Sequence, residues 1–139
     1  MTETANFTLE QGLERYQQGE SAASLLLEFK QLSDRSPKNA AVWSCLAWLY
    51  MLTDKPELAL KAAQKAVKLD KASPQNRINL VLAMLETKTA GVREHIELVQ
   101  QLVSLNKEVR QEVDENIADG LARKPDWKSL ERVKAWLNE

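Results

Sequence analysis

The chain has little of what catalytic sites, metal sites and disulfide-stabilised folds require. Its 139 residues include one cysteine, one histidine, four glycines and four prolines. A single cysteine cannot form an internal disulfide, so an oxidising compartment has no support. No apolar run approaches the roughly 18 residues of a membrane span, and the first residues lack the basic start and apolar stretch of a signal peptide. We therefore expect a cytoplasmic protein without a membrane span.

The same scarcity argues against catalysis. Cys45 and His95 are the only residues of their types, so a nucleophile–base pair would need both, and no motif surrounds either. Cysteine or histidine pairs at the i, i+3 or i, i+4 spacing of a metal site are absent. None of the four glycines stands in a phosphate-binding loop. We expect no enzyme activity, no catalytic residue, no metal and no cofactor.

What the chain does contain favours helices. Apolar residues make up 44% and charged residues 28% of the sequence, values that are ordinary for a folded protein, and the net charge is −1. Alanine, leucine, lysine, glutamate and glutamine dominate, and all of them favour helix. The length suits one domain or about four repeats of roughly 34 residues. This composition predicts a single all-α domain over residues 1–139.

A regular period runs through the sequence. Tyr16, Tyr50 and Met84 are equally spaced, at a period of about 34 residues. Positions 43–50 follow the pattern W-x-x-L-A-x-x-Y, and alanines recur after that pattern at positions 59, 63 and 66. The pattern resembles the tetratricopeptide repeat, in which W-x-x-L-G-x-x-Y precedes an alanine, an aromatic residue and a closing proline. The resemblance covers residues 6–105, with good agreement over 39–71.

The resemblance implies an α-α superhelix, a right-handed solenoid of antiparallel helix pairs. We expect three repeats and a C-terminal pair of capping helices, at about 6–38, 39–72, 73–106 and 107–139. The second helix of the third repeat is displaced by two residues relative to the second repeat, which predicts a longer turn near residues 88–91. A capping pair is expected because a solenoid must cover its last apolar face.

In this family the first helix of each pair lines a concave groove that binds peptides or helices of partner proteins. Matching the repeats implies nine groove residues in this chain, namely Ser44, Trp48, Met51, Leu52, Gln75, Ile78, Asn79, Leu82 and Leu85. Most of them are apolar, and an exposed apolar stripe of this size marks an interaction site. The opposite interpretation is equally open, since the last helix could cover the groove or some of these residues could be internal core.

The resemblance therefore implies a protein–protein interaction module, a small adaptor or complex-assembly factor that binds a peptide or an amphipathic helix of a partner. Lys61, Lys65 and Lys68 suggest the alternative, a basic stripe for nucleic acid or an acidic partner. That stripe falls on the convex side and carries no aromatic residue to stack on bases, so a solvated face is the preferred interpretation. Self-association of the chain is left open.

The acidic residues between 112 and 119 follow helical spacing beside Arg110 and Arg123. Oppositely charged side chains three or four residues apart on a helix commonly pair on its solvated surface. We therefore interpret this segment as exposed helix surface with no role in a site.

Overall fold

The structure, a computed structural model, describes residues 7–139 of the chain. Over that range the chain forms eight α-helices and no β-strand, which confirms the predicted all-α class. The helices are α1 (Leu9–Gln17), α2 (Ala22–Arg35), α3 (Ala40–Leu52), α4 (Pro56–Leu69), α5 (Pro74–Glu86), α6 (Val92–Leu105), α7 (Lys107–Arg123) and α8 (Lys128–Leu137). Residues 1–6, including the predicted start of the first repeat, lie outside the described range.

Most helices begin at a polar side chain that accepts hydrogen bonds from the exposed backbone N–H groups of the first turn. Thr8 and Gln11 form a capping box at α1, in which each side chain accepts from the backbone of the other residue. Ser21, Ser73 and Asn106 cap α2, α5 and α7 in the same way. Local sequence therefore determines these helix starts.

Helix α4 begins differently from these helices, although Asp54 lies just before its first turn. The N-cap residue is Lys55, which makes no side-chain cap bond, and Pro56 occupies the first turn. Asp54 adopts a left-handed backbone with φ 61°. Its carboxylate lies 2.6 Å from Lys124 Nζ, so it holds the end of α7 instead of the start of α4.

The helices follow the period of the sequence. The step from the start of α2 to the start of α4 equals the step from α3 to α5, and both match the spacing of the repeated tyrosines. Helix α6 begins two residues later than the same step from α4 would place it, which matches the predicted displacement. The longer turn contains Lys88 and Gly91, both with positive φ, and Gly91 at φ 106° adopts a backbone that only glycine enters without strain.

Each helix packs against the next one along the chain, and α3 also packs against α5, α5 against α7, and α6 against α8. Close approach of α4 to its neighbours requires small side chains. Ala59, Ala63 and Ala66 on that helix are all fully buried. These three alanines therefore serve helix packing.

The last two helices reach the first half of the chain. Arg123 of α7 donates hydrogen bonds to the backbone oxygens of Tyr16 and Glu20, and Lys124 donates to Met51 O at 3.1 Å. Trp127, just before α8, is 1% exposed. The end of α7 thus lies against α1 and α3, which belong to the first half of the chain.

Buried apolar residues from seven of the eight helices and Trp127 form one continuous core. Full burial of a large apolar side chain stabilises the fold by roughly 1.5–3 kcal/mol. The buried side chains of α7 and α8 therefore add substantially to the stability of the core. Over residues 7–139, no helix combines the length and apolar character needed to cross a membrane.

Helix α7 packs closely against Trp48 and Leu130 at Gly120. A Cβ atom at that position would lie 2.6 Å from Leu130 Cδ2 and 2.8 Å from Trp48 Cζ2. Helix propensity alone would make Gly120→Ala stabilising by about 1 kcal/mol. Because overpacking costs about 1–3 kcal/mol, we expect a net loss of up to about 2 kcal/mol in the free energy of unfolding, measured in urea.

Ala118→Gly supplies the matched control on the exposed side of the same helix. The Ala118→Gly protein should lose about 1 kcal/mol in the free energy of unfolding through helix propensity alone. A Gly120→Ala protein that is more stable than the wild type would contradict the close packing of α7 on Trp48.

Candidate functional site

The nine predicted groove residues lie on α3 and α5, but several of them are not surface residues. Ile78 and Leu82 are 0% exposed, and Met51 and Asn79 are 1% exposed. The other five are half-buried. Met51, Ile78 and Leu82 therefore belong to the protein's own core, which is the alternative left open from the sequence, while Leu52 and Leu85 remain half-buried.

The C-terminal helices cover much of this inner face. The rings of Trp48 and Trp127 pack with centroids 5.1 Å apart at an interplanar angle of 51°. Trp127 Nε1 donates to the carboxylate of Glu86 on α5 at 2.8 Å. Lys124 lies 5.2 Å from the Trp127 ring as a cation–π neighbour. The segment between α7 and α8 thus covers part of the predicted groove, an arrangement that the sequence analysis had left open.

A pocket of about 480 Å³ remains on the inner side, within the roughly 300–1,000 Å³ range of ligand sites. Helices α1, α3, α5 and α7 form its walls, with one residue from α2. The lining residues are Leu13, Tyr16, Gln17, Phe29, Ser44, Cys45, Trp48, Leu49, Gln75, Asn79, Glu115, Asn116 and Asp119. The structure therefore brings four of the nine predicted residues together in one cavity: Ser44, Trp48, Gln75 and Asn79.

A ladder of polar side chains crosses one wall of the pocket. Asn79 Nδ2 donates to Ser44 O at 3.1 Å and to Ser44 Oγ at 3.0 Å. Gln75 Nε2 donates to Asn79 Oδ1 at 2.8 Å, and Asn116 Nδ2 donates to Gln75 Oε1 at 2.9 Å. Asn79 is buried, and a buried amide is costly unless it is hydrogen-bonded. Its partners Ser44 and Gln75 satisfy it. The ladder fixes α3, α5 and α7 relative to one another.

Tyr16 joins the opposite wall to α7. Its hydroxyl accepts from Trp48 Nε1 at 2.9 Å and donates to the carboxylate of Asp119. Arg123 lies over the Tyr16 ring, 3.6 Å from its centroid. Burial raises the pKa of Tyr16 well above its ordinary value, and the hydrogen bond to Asp119 raises it further. The phenol therefore stays neutral over the physiological range.

Two carboxylates lie on the α7 side of the pocket, where the sequence predicted only solvated surface. The predicted pairing is present, since Arg110 lies 3.1 Å from Asp114 and Arg123 lies 3.8 Å from Asp119. Glu115 and Asp119, however, also line the cavity. Helical spacing could not reveal this, because the pocket exists only after α7 packs against the inner face.

Cys45 and His95 do not form a pair. Cys45 lines the pocket, where burial raises its thiol pKa to about 12. His95 Nδ1 lies 2.9 Å from Arg77 Nη1, and burial together with the positive charge of Arg77 lowers the pKa of His95. Among residues 7–139, no cluster of three histidine, cysteine or acidic side chains is placed to hold a metal ion.

The lysine stripe lies elsewhere. Lys61, Lys65 and Lys68 are exposed on α4, and none of them lines the pocket. The stripe and the pocket are therefore separate surfaces.

In the comparison with known proteins, no family model matches this chain, and no curated protein matches it either.

Removal of the Tyr16 hydroxyl tests the network that joins α1 to α7. Tyr16→Phe leaves Trp48 Nε1 without this acceptor and Asp119 without this donor, so we expect a loss of about 1–2 kcal/mol in the free energy of unfolding. Tyr50→Phe is the matched control on α3, since the Tyr50 hydroxyl takes no part in the network. Equal losses of unfolding free energy in the two variants would show that the hydrogen bonds of Tyr16 to Trp48 and Asp119 do not stabilise the fold.

The raised pKa of Cys45 predicts slow thiol modification. At pH 8 a thiol of pKa about 12 is ionised in about one molecule in 10⁴, against about one in four for an ordinary cysteine. We expect disulfide-reagent labelling of the folded protein to be at least about 1,000-fold slower than in concentrated urea, and to rise about tenfold per pH unit above pH 8.

The same pKa shift has a consequence for stability with a definite sign. The folded state holds the thiol proton more tightly than the unfolded state, so this contribution is complete below about pH 8.5 and is lost as pH rises toward 12. Rapid labelling at pH 8 with the helices intact would contradict the raised pKa of this half-buried thiol.

Proposed function

We propose that this chain is a small tetratricopeptide-like solenoid that acts as a protein–protein interaction module. It would serve as an adaptor or assembly factor by binding a short peptide segment of a partner at the pocket between α1, α3, α5 and α7. The observation that carries the proposal is the pocket itself, about 480 Å³ in volume and lined by aromatic, amide and carboxylate groups from five helices.

The repeat pattern supports this architecture. Successive first helices begin one repeat length apart, at Ala40 and Pro74, and small buried residues occupy the alanine positions of α4. Stacked helix pairs of this kind create extended binding surfaces. Those surfaces carry few of the clustered nucleophiles and bases on which catalysis depends.

The size and lining of the pocket favour a short segment over a whole helix. Trp127 and Leu130 are already buried on the inner side, so a partner helix could not replace them without unfolding the C-terminal pair. The remaining cavity has an aromatic wall and hydrogen-bonding amides, which are features of sites that orient a ligand. One or two side chains of an extended peptide would fill it.

A pair of leucine substitutions tests the site. Leu13 lines the pocket and is 41% exposed, whereas Leu27 on α2 is 62% exposed and lies outside the pocket. We would select peptides from a random heptapeptide display library on the wild-type protein and measure the Kd of each by fluorescence anisotropy. Leu13→Trp should weaken binding at least about tenfold because the indole fills the mouth, while Leu27→Trp should stay within about twofold.

Circular dichroism of both variants controls for folding, since either residue is exposed enough to accept an indole. A library without a saturable binder would overturn the proposed function. Binders that tolerate Leu13→Trp as well as Leu27→Trp would place the binding surface elsewhere on the protein and would also count against the pocket.

A further inference from the structure

The pocket carries a charge pattern that identifies a ligand class. We propose that it accepts a basic side chain, arginine or lysine, from the bound peptide. The inference rests on the proposed function and deepens it by naming the residue type that the pocket selects.

The charges on the pocket wall are all of one sign. Glu115 and Asp119 are its two ionisable carboxylates, and no lysine, arginine or histidine is among its lining residues. Arg123 neutralises part of the Asp119 charge from outside the pocket, at 3.8 Å. No cation of residues 7–139 lies within salt-bridge distance of Glu115, whose only side-chain partner in that range is the neutral amide of Gln111 at 3.2 Å. A ligand that enters the pocket therefore meets negative charge that is not paired.

The depth of the lining residues matches the shape of a basic side chain. Glu115 and Asn116 are exposed and mark the mouth, whereas Phe29 and Asn79 are buried and lie at the floor. Leu13, Phe29 and Trp48 offer apolar surface to the methylene stem of a long side chain. A guanidinium or ammonium group beside Glu115 would form a charge-assisted hydrogen bond, and the aromatic rings would add cation–π attraction.

The neutral polar groups of the wall do not favour an acidic ligand. The Nδ2 of Asn79 and the Nε2 of Gln75 donate to protein acceptors, and the Nδ2 of Asn116 donates to Gln75. Trp48 Nε1 donates to Tyr16. Each of these donors already serves a protein acceptor, which leaves one N–H each on Gln75 and Asn116 and the amide of Gln17. A carboxylate that used them would also meet the like charges of Glu115 and Asp119.

A matched set of short peptides tests the inference. The probes are acetyl-Gly-Leu-Arg-Leu-Gly-amide, the same peptide with citrulline in place of arginine, and the same peptide with glutamate there. Citrulline keeps the size and hydrogen-bonding shape of arginine and removes the charge. Binding is followed by NMR titration of the Trp48 indole N–H and the side-chain amides of Gln75 and Asn116.

We expect the arginine peptide to bind at least about tenfold more tightly than the citrulline peptide, and the glutamate peptide to produce no saturable shift. Glu115→Gln should reduce that preference to about twofold or less, because it keeps the shape and removes the charge. Glu112→Gln on the exposed surface of α7 is the control and should leave the preference unchanged. Raising the salt concentration should weaken binding of the arginine peptide and leave binding of the citrulline peptide unchanged.

The outcomes separate the two proposals. Equal binding of the arginine and citrulline peptides, or an arginine preference that survives Glu115→Gln, would contradict the proposed selection of a basic side chain. Neither result would contradict the proposed peptide site. Library peptides that bind the pocket without any arginine or lysine would also contradict the selection of a basic side chain. Failure of every probe and every library peptide to shift the pocket signals would overturn both proposals.

Discussion

The indole of Trp48 is the contact on which the inner side of this protein depends. It lies against Gly120 of α7, packs on Trp127 before α8, and donates its N–H to Tyr16 of α1. One side chain of α3 thereby touches segments that lie far before it and far after it along the chain. Because the indole is large and its N–H has a partner, it constrains how α1, α3 and α7 pack against one another. The position of the pocket wall follows from that arrangement.

The pocket is the space that these helices leave when α7 is held between α1 and α5. Its amides hydrogen-bond to one another across three helices, so the buried Asn79 is satisfied and the polar wall keeps a defined shape. Its two carboxylates come from one face of α7, and only Asp119 has a nearby cation among the described residues. Shape and charge at this site therefore have different origins, the first in packing between helices and the second in the sequence of α7.

Local features of the fold were predictable because they depend on neighbouring residues. Thr8 and Ser73 cap helices since their side chains reach backbone groups within the first turn, and the two-residue displacement of α6 follows from counting along the repeat. The groove residues were predictable only in part. Asn79 and Trp48 do face the inner side, but Leu82 is core, because no periodic pattern states which residues will meet α7 and α8. The two pocket carboxylates carried no signal at all beyond helical spacing.

The sequence by itself determined that this chain is helical, where most of its helices begin, and which faces are apolar, since propensity, capping and periodicity act over a few residues. Only the tertiary structure decided that the C-terminal helices lie along the inner face, that the aliphatic part of that face is core, and that two carboxylates of α7 border a cavity. The hydrogen bond between Tyr16 and Asp119 joins α1 to α7, near opposite ends of the chain. Contacts of that range depend on the summed packing of every helix between them, which no local pattern encodes.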